Sequence, residues 1–317
     1  MIRRTAPAIA FAVAAVLVGS GAGTAPNRPP TLKVADAAWT LPSPVAREVV
    51  VASGKQFTVV GGLDASGTST STVVSINPRT GTSTSAGALA VGVHDAAGVR
   101  DGRRVLVFGG GTGEAGTGDV QTVPDRGTGS VIGAMPVARA DLVAARVGRA
   151  TYVFGGADGS TMLPDILRTT DGVSFTKVGT LPVPVRYPAL AVVGEAIYLF
   201  GGVSNPAQGV DTPAVQRFDT ASGVVDTVAQ LPTSLSHATA VVLRGQVFLL
   251  GGYVENTRLS NQILRFDPAS GTAAPAGTLP APVSDAAAVV VAGRGYLVGG
   301  QGEDRAPRAT VTILTPH

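Results

Sequence analysis

The sequence predicts an all-β chain closed into a six-bladed β-propeller, and three periodic marks carry that prediction. Gly-Gly pairs end apolar runs at Gly61, Gly109, Gly155, Gly201, Gly251 and Gly299, at spacings of 46 to 50 residues. Leu-Pro, or a decayed form of it, starts at Leu41, Leu89, Met135, Leu181, Leu231 and Leu279, each 20 residues before its glycine pair. A turn glycine (Gly81, Gly127, Gly172, Gly223, Gly271) precedes the next Leu or Met by eight or nine residues. Self-similarity at this period marks a repeat fold in which each unit buries its faces against its neighbours.

Within a unit the elements follow in order. Strand a comes after Leu-Pro, as in "ALAVV" (189–193), and a tight turn leads to strand b, "AIYLF" (196–200). The double glycine ends b, where crowded backbone leaves no room for side chains. Strand c is "AVQRF" (214–218), and Asx-type turns such as "FDTASG" and "FDPASG" pass it to strand d. The last unit supplies only a, b and c, whereas "AAWTLP" precedes the first a strand as an orphan d. Residues 37–41 are therefore expected in the blade of 286–315, removing the open edge.

Apolar run, Gly-Gly, an aromatic-Asp turn and Leu-Pro together resemble the kelch repeat of bacterial exported proteins, as in "YLFGG…VQRFDTASG…LPTSLSHATAVV". The resemblance covers about residues 37–317. It departs from the kelch pattern before Leu-Pro, where the Trp survives only as Trp39; the other units have Gly87, Gly133, Gly179, Ala229 and Gly277.

Residues 1–25 have the pattern of a signal peptide: Arg3 and Arg4, an apolar core over Ala8–Gly19, then small residues. Residues 26–36 are expected to be a proline-rich linker and 37–317 the propeller. The protein is thus expected to be secreted, extracellular or cell-wall associated, touching membrane only through its leader. The absence of Cys excludes disulfides, thiolate metal sites and a Cys nucleophile. The net charge is +3 and the Arg residues are scattered along the chain, so no basic stripe for nucleic acid is seen.

Strand order places the b–c loops and d–a connections on one face. The distance from the glycine pair to the turn glycine varies most, so insertions fall in the b–c loops, including 63–70, 111–119, 203–213 and 253–260. Function usually sits on such loops. Six residues after each Leu or Met stand Arg47, Asp95, Asp141, Tyr187, His237 and Asp285, with His94 and Arg186 one residue earlier. All are polar but of mixed kinds, as a binding rim at the axial mouth would be. Local capping by the Asp side chains is the competing explanation.

"GTGEAG" (111–116) matches a dinucleotide fingerprint without its βαβ setting, and "DASGTS" (64–69) starts like a calcium loop without the closing carboxylate. No metal, cofactor or catalytic residue is therefore assigned. The best-supported expectation is a monomeric binding module for a peptide, glycan or cell-wall ligand on the loop face. The alternatives are a carbohydrate-active propeller of the sugar-mutarotase kind, by analogy of fold, and a structural protein of the envelope.

Overall fold

The computed structural model describes residues 31–113, 116–159, 161–205 and 210–316. The signal-segment expectation lies outside them, as does part of "GTGEAG". Thr31–His317 forms one compact unit. It contains six four-stranded antiparallel sheets, each in the order a-b-c-d, arranged as a six-bladed β-propeller. Blade 1 comprises Val49–Ser53, Gln56–Val60, Thr72–Ile76 and Ser83–Ala88. Blade 2 comprises Ala97–Asp101, Arg104–Phe108, Asp119–Pro124 and Ser130–Ala134. Blades 3, 4 and 5 repeat the order from inner strands Val143–Val147, Ala189–Val193 and Thr239–Leu243. No helix among the described residues is long and apolar enough to cross a membrane.

Blade 6 joins the two ends of the chain. Its a, b and c strands are Ala287–Val291, Arg294–Val298 and Val311–Pro316, and its outer strand is Leu32–Asp36. The register runs from Leu32 opposite Pro316 to Asp36 opposite Thr312. The closing strand thus starts upstream of 37–41, inside the stretch expected to be linker. Those residues still follow the same edge: Ala37 N–H donates to Val311 O and Leu41 N–H to Ala309 O, both at 2.8 Å. The reason is apolar: Leu32 and Val34 pack against the cluster containing Leu297 and Leu314. Trp39 then turns inward onto Gly81 of blade 1, where a methyl group would collide with the indole.

The glycine pairs clasp neighbouring blades. The second glycine donates its N–H to a carbonyl of the next blade: Gly62 to Val93, Gly110 to Arg139, Gly156 to Val185, Gly202 to Leu235, Gly252 to Val283 and Gly300 to Val45. A Cβ on the first glycine would meet that same carbonyl oxygen, at 2.6 Å for Gly61 against Val93. Both glycines have positive φ, 64° and 100° in Gly61 and Gly62, a region that side chains resist. The positions that correspond to Trp39 in the next two blades are similarly crowded. A Cβ on Gly87 would overlap Gly127 O in the c–d turn of the next blade, and one on Gly133 would press on Val173.

Candidate functional site

Six residues that sequence spacing places together do meet around the axis. Arg47, Asp95, Asp141, Tyr187, His237 and Asp285 all have left-handed backbones, with φ between 51° and 63°. Each donates its N–H to the carbonyl of its predecessor. Asp95 binds Arg47, Asp141 binds Asp95, Tyr187 binds Asp141, His237 binds Tyr187, Asp285 binds His237, and Arg47 completes the circle on Asp285, at 2.9–3.1 Å. A non-glycine αL residue costs about 1–2 kcal/mol. Six in one circle form a strained collar whose closed hydrogen-bond ring helps to hold it. The residue preceding each bridges to its own b–c loop, as His94 does to Gly111 and Arg186 to Val203, so loops and mouth share one face as expected.

Side chains of the collar interlock across the axis. Arg47 Nη1 donates to Asp95 Oδ2 at 2.9 Å and to the hydroxyl of Tyr187, from the opposite blade, at 3.4 Å. The Tyr187 hydroxyl donates to Asp95 Oδ2 at 3.3 Å. Arg47 Nε lies 3.8 Å from Asp285 Oδ1. His237 Nδ1 lies 2.7 Å from the same oxygen, while the Ser284 hydroxyl donates to Asp285 Oδ2 at 2.8 Å. The His237 ring stacks on Tyr187 at 3.8 Å, and Tyr253 from the "YVENTRLS" loop meets His237 edge-on. Arg186 reaches Asp141 at 3.4 Å. His94 Nδ1 pairs with the Ser69 hydroxyl at 2.8 Å, and its Nε2 lies 3.7 Å from Asp95. A recess of about 120 Å³ is lined by the collar and by the residue that follows each collar position, just before the inner strands.

Burial sets the proton affinities. It pushes Asp95 up to about 7 against the opposing pull of Arg47, with Asp141 and Asp285 adding to the rise. Asp141 is likewise raised by burial, although Tyr187 and Arg186 offset part of it. Burial also acts upward on Asp285, but the His237 contact and Arg47 outweigh it, so its carboxyl ends below the usual range. Burial, then the nearby Arg47 charge, lowers His94 and keeps it neutral near pH 7. The mouth therefore offers hydrogen-bond donors on Arg47 and Arg186, acceptors on three carboxylates, and aromatic faces.

Glu48 was not singled out by spacing. It follows Arg47 in the column where other blades have Ala96, Leu142, Pro188, Ala238 and Ala286. It is buried against Gly299 at the seam of blades 6 and 1, and neither carboxylate oxygen closes a hydrogen bond of normal geometry. Burial, and then the charges of Asp285 and Asp95, hold its carboxyl well above the ordinary value, despite the backbone N–H groups of Glu48 and Ala287. One acid in an apolar column was the available signal. Asp64 of "DASGTS" accepts from Ser66 N, Ser66 Oγ and Thr68 N, so its oxygen closes a turn.

No protein-family model matches the sequence. No curated protein matches it either. The solved structure of YjhT is similar to this chain, with a TM-score of 0.76 over 88% of this chain and 99% of that one. At 14% identity the likeness is one of fold.

Proposed function

We propose that the chain is an exported, kelch-type binding module whose ligand, a polar glycan, sits in the axial mouth of the loop face. The observation that carries this reading is the convergence of six of the eight polar candidates around one recess, on a collar strained at every position, with His94 beside Asp95 and Arg186 beside Asp141. Strained backbone concentrates at sites where geometry matters. Guanidinium donors, carboxylate acceptors and the Tyr187–His237 rings suit the hydroxyls and C–H face of a sugar. Calorimetric titration with mono- and oligosaccharides, peptidoglycan fragments and short peptides tests it. Arg186 and His94 are only part-buried and flank the collar, Arg186 on Asp141 and His94 by Asp95, so Arg186→Ala and His94→Ala should weaken binding at least tenfold without unfolding the protein. Saccharide binding that neither change affects would remove the mouth from consideration.

A second reading adds proton transfer. Asp95, at about 7, and neutral His94 lie 3.7 Å apart. Such a pair can exchange protons near neutral pH, as opening of a sugar hemiacetal requires. Anomer exchange followed by NMR should be accelerated by the protein and slowed by Asp95→Asn. If exchange is no faster than in buffer for every sugar that binds, the module binds without catalysis.

A further inference from the structure

A second cavity lies away from the mouth, between blades 1 and 2, and its origin is one residue. Interfaces between blades are filled by the middle residue of strand b: Leu106, Tyr152, Tyr198, Phe248 and Tyr296 in blades 2 to 6. Blade 1 has Thr58 there. With a small hydroxyl side chain in place of a ring or a leucine, the interface stays open as a cleft of about 910 Å³, the size of a ligand site.

The cleft is polar and positive. The a–b hairpin of blade 2 contributes Arg100, Arg103 and Arg104, and the c–d turn contributes Arg126, against two carboxylates, Asp101 and Asp125. Asp125 pairs with Arg100 and lies 3.3 Å from Arg103 Nε; Asp101 takes Arg104 at 3.0 Å and Arg146 at 3.0 Å. These pairs splay the guanidinium groups. Arg103 remains 94% exposed, and exposed Arg126 has no ion pair among the described residues. Two positive charges in excess therefore sit in one cleft of a chain whose net charge is only +3. The opposite wall, from blade 1, is lined by hydroxyl and amide groups, including Gln56, Ser75 and Thr84. No aromatic ring lines the cleft among the described residues.

We infer that this cleft binds a segment of an acidic polysaccharide, its sulfate, phosphate or carboxylate groups on Arg103 and Arg126 and its hydroxyls on the Ser/Thr/Gln wall. Guanidinium groups bind such oxyanions by paired hydrogen bonds. The hydroxyl wall matches a polyol, and the lack of rings argues against single-stranded nucleic acid, which is held largely by base stacking. The cleft opens among the a–b and c–d turns, on the face opposite the mouth, so its occupancy is independent of the mouth reading.

Binding of dextran sulfate, neutral dextran, poly-L-glutamate and single-stranded DNA to the full chain, measured at two salt concentrations, tests this. Dextran sulfate should bind with an affinity that falls as salt rises, and neutral dextran should bind at least tenfold more weakly. The double variant Arg103→Glu/Arg126→Glu changes exposed side chains and should lose at least tenfold. Thr58→Tyr supplies the ring that blades 3 to 6 carry and should lose binding while the melting temperature holds or rises. Arg186→Ala, in the mouth, should bind dextran sulfate as the parent does. Unchanged binding by the double-Glu variant overturns the proposal. So does loss of binding in Arg186→Ala, or equally tight binding of poly-L-glutamate or DNA.

Discussion

Replacing Glu48 with Gln should make the propeller less sensitive to alkali, by an amount set by linkage. The Glu48 carboxyl is fully buried in a column that is otherwise Ala, Leu or Pro, and burial with two neighbouring acids raises its proton affinity. In the unfolded chain it titrates near an ordinary value of about 4.3. Below that pH both states hold the proton and Glu48 adds no pH dependence. Between the unfolded value and the raised folded value, only the folded state keeps the proton, so stability falls as pH rises. Each pH unit in that window costs about 1.4 kcal/mol, or about 2 °C in melting temperature for a domain this size. The amide introduced by Glu48→Gln would keep the shape and hydrogen-bonding character of the neutral acid without titrating. The gap in unfolding free energy between variant and parent should therefore widen in the variant's favour from pH 5 upward, at about that slope. Denaturant titrations of both proteins at half-unit pH intervals measure it. A gap independent of pH, or one that favours the parent as pH rises, would refute a neutral buried Glu48.

Gly54 and Gly61 form a matched pair, with φ of 61° and 64° but different surroundings. Gly54→Ala, with open space around its Cβ, should cost about 1 kcal/mol, and Gly61→Ala, against Val93 O at 2.6 Å, at least about 3; similar losses in urea denaturation would contradict the clasp. The carboxyl carbon of Asp95, followed by NMR, should titrate near 7 and move higher in Arg47→Ala, because Arg47 opposes the rise. By the same sign rule, Asp95 makes the fold less stable as pH climbs from about 4 to 7. Trp39→Ala should cost about 2 kcal/mol in chemical denaturation by removing the contact with Gly81; a loss below about 0.5 would mean that Leu32–Asp36 closes the ring unaided.

Much of the frame was legible because propeller geometry repeats physical demands at fixed intervals. The glycine pairs mark where one blade's carbonyl needs backbone alone, so they recur wherever blades meet. Strands at 189–193 and 196–200 fall at their expected positions for the same reason. The seam was harder: Leu32 and Val34 look like the end of a proline-rich tail until the cluster around Leu314 gives them a place to bury. The collar was legible as a column, but spacing gave no sign that Tyr187 would reach across to Arg47 and Asp95. Side-chain reach across an axis is not periodic. The Arg cleft was hidden because Arg103 and Arg126 belong to separate turns of a chain whose charges look scattered, and only the gap at Thr58 puts them on one cavity.

The collar separates what the mouth is made of from what holds it in place. Its six hydrogen bonds run from main chain to main chain and its φ angles are nearly uniform, so the circle itself is closed by backbone groups. Proline, which lacks the N–H and has negative φ, and β-branched residues, which resist left-handed φ, are out of place there, and none of the six is one. The ring is therefore a six-letter field in which each letter can be changed with little effect on the others' backbone. A small library at Arg47, Asp95, Asp141, Tyr187, His237 and Asp285 would sample ligand specificity on a constant frame.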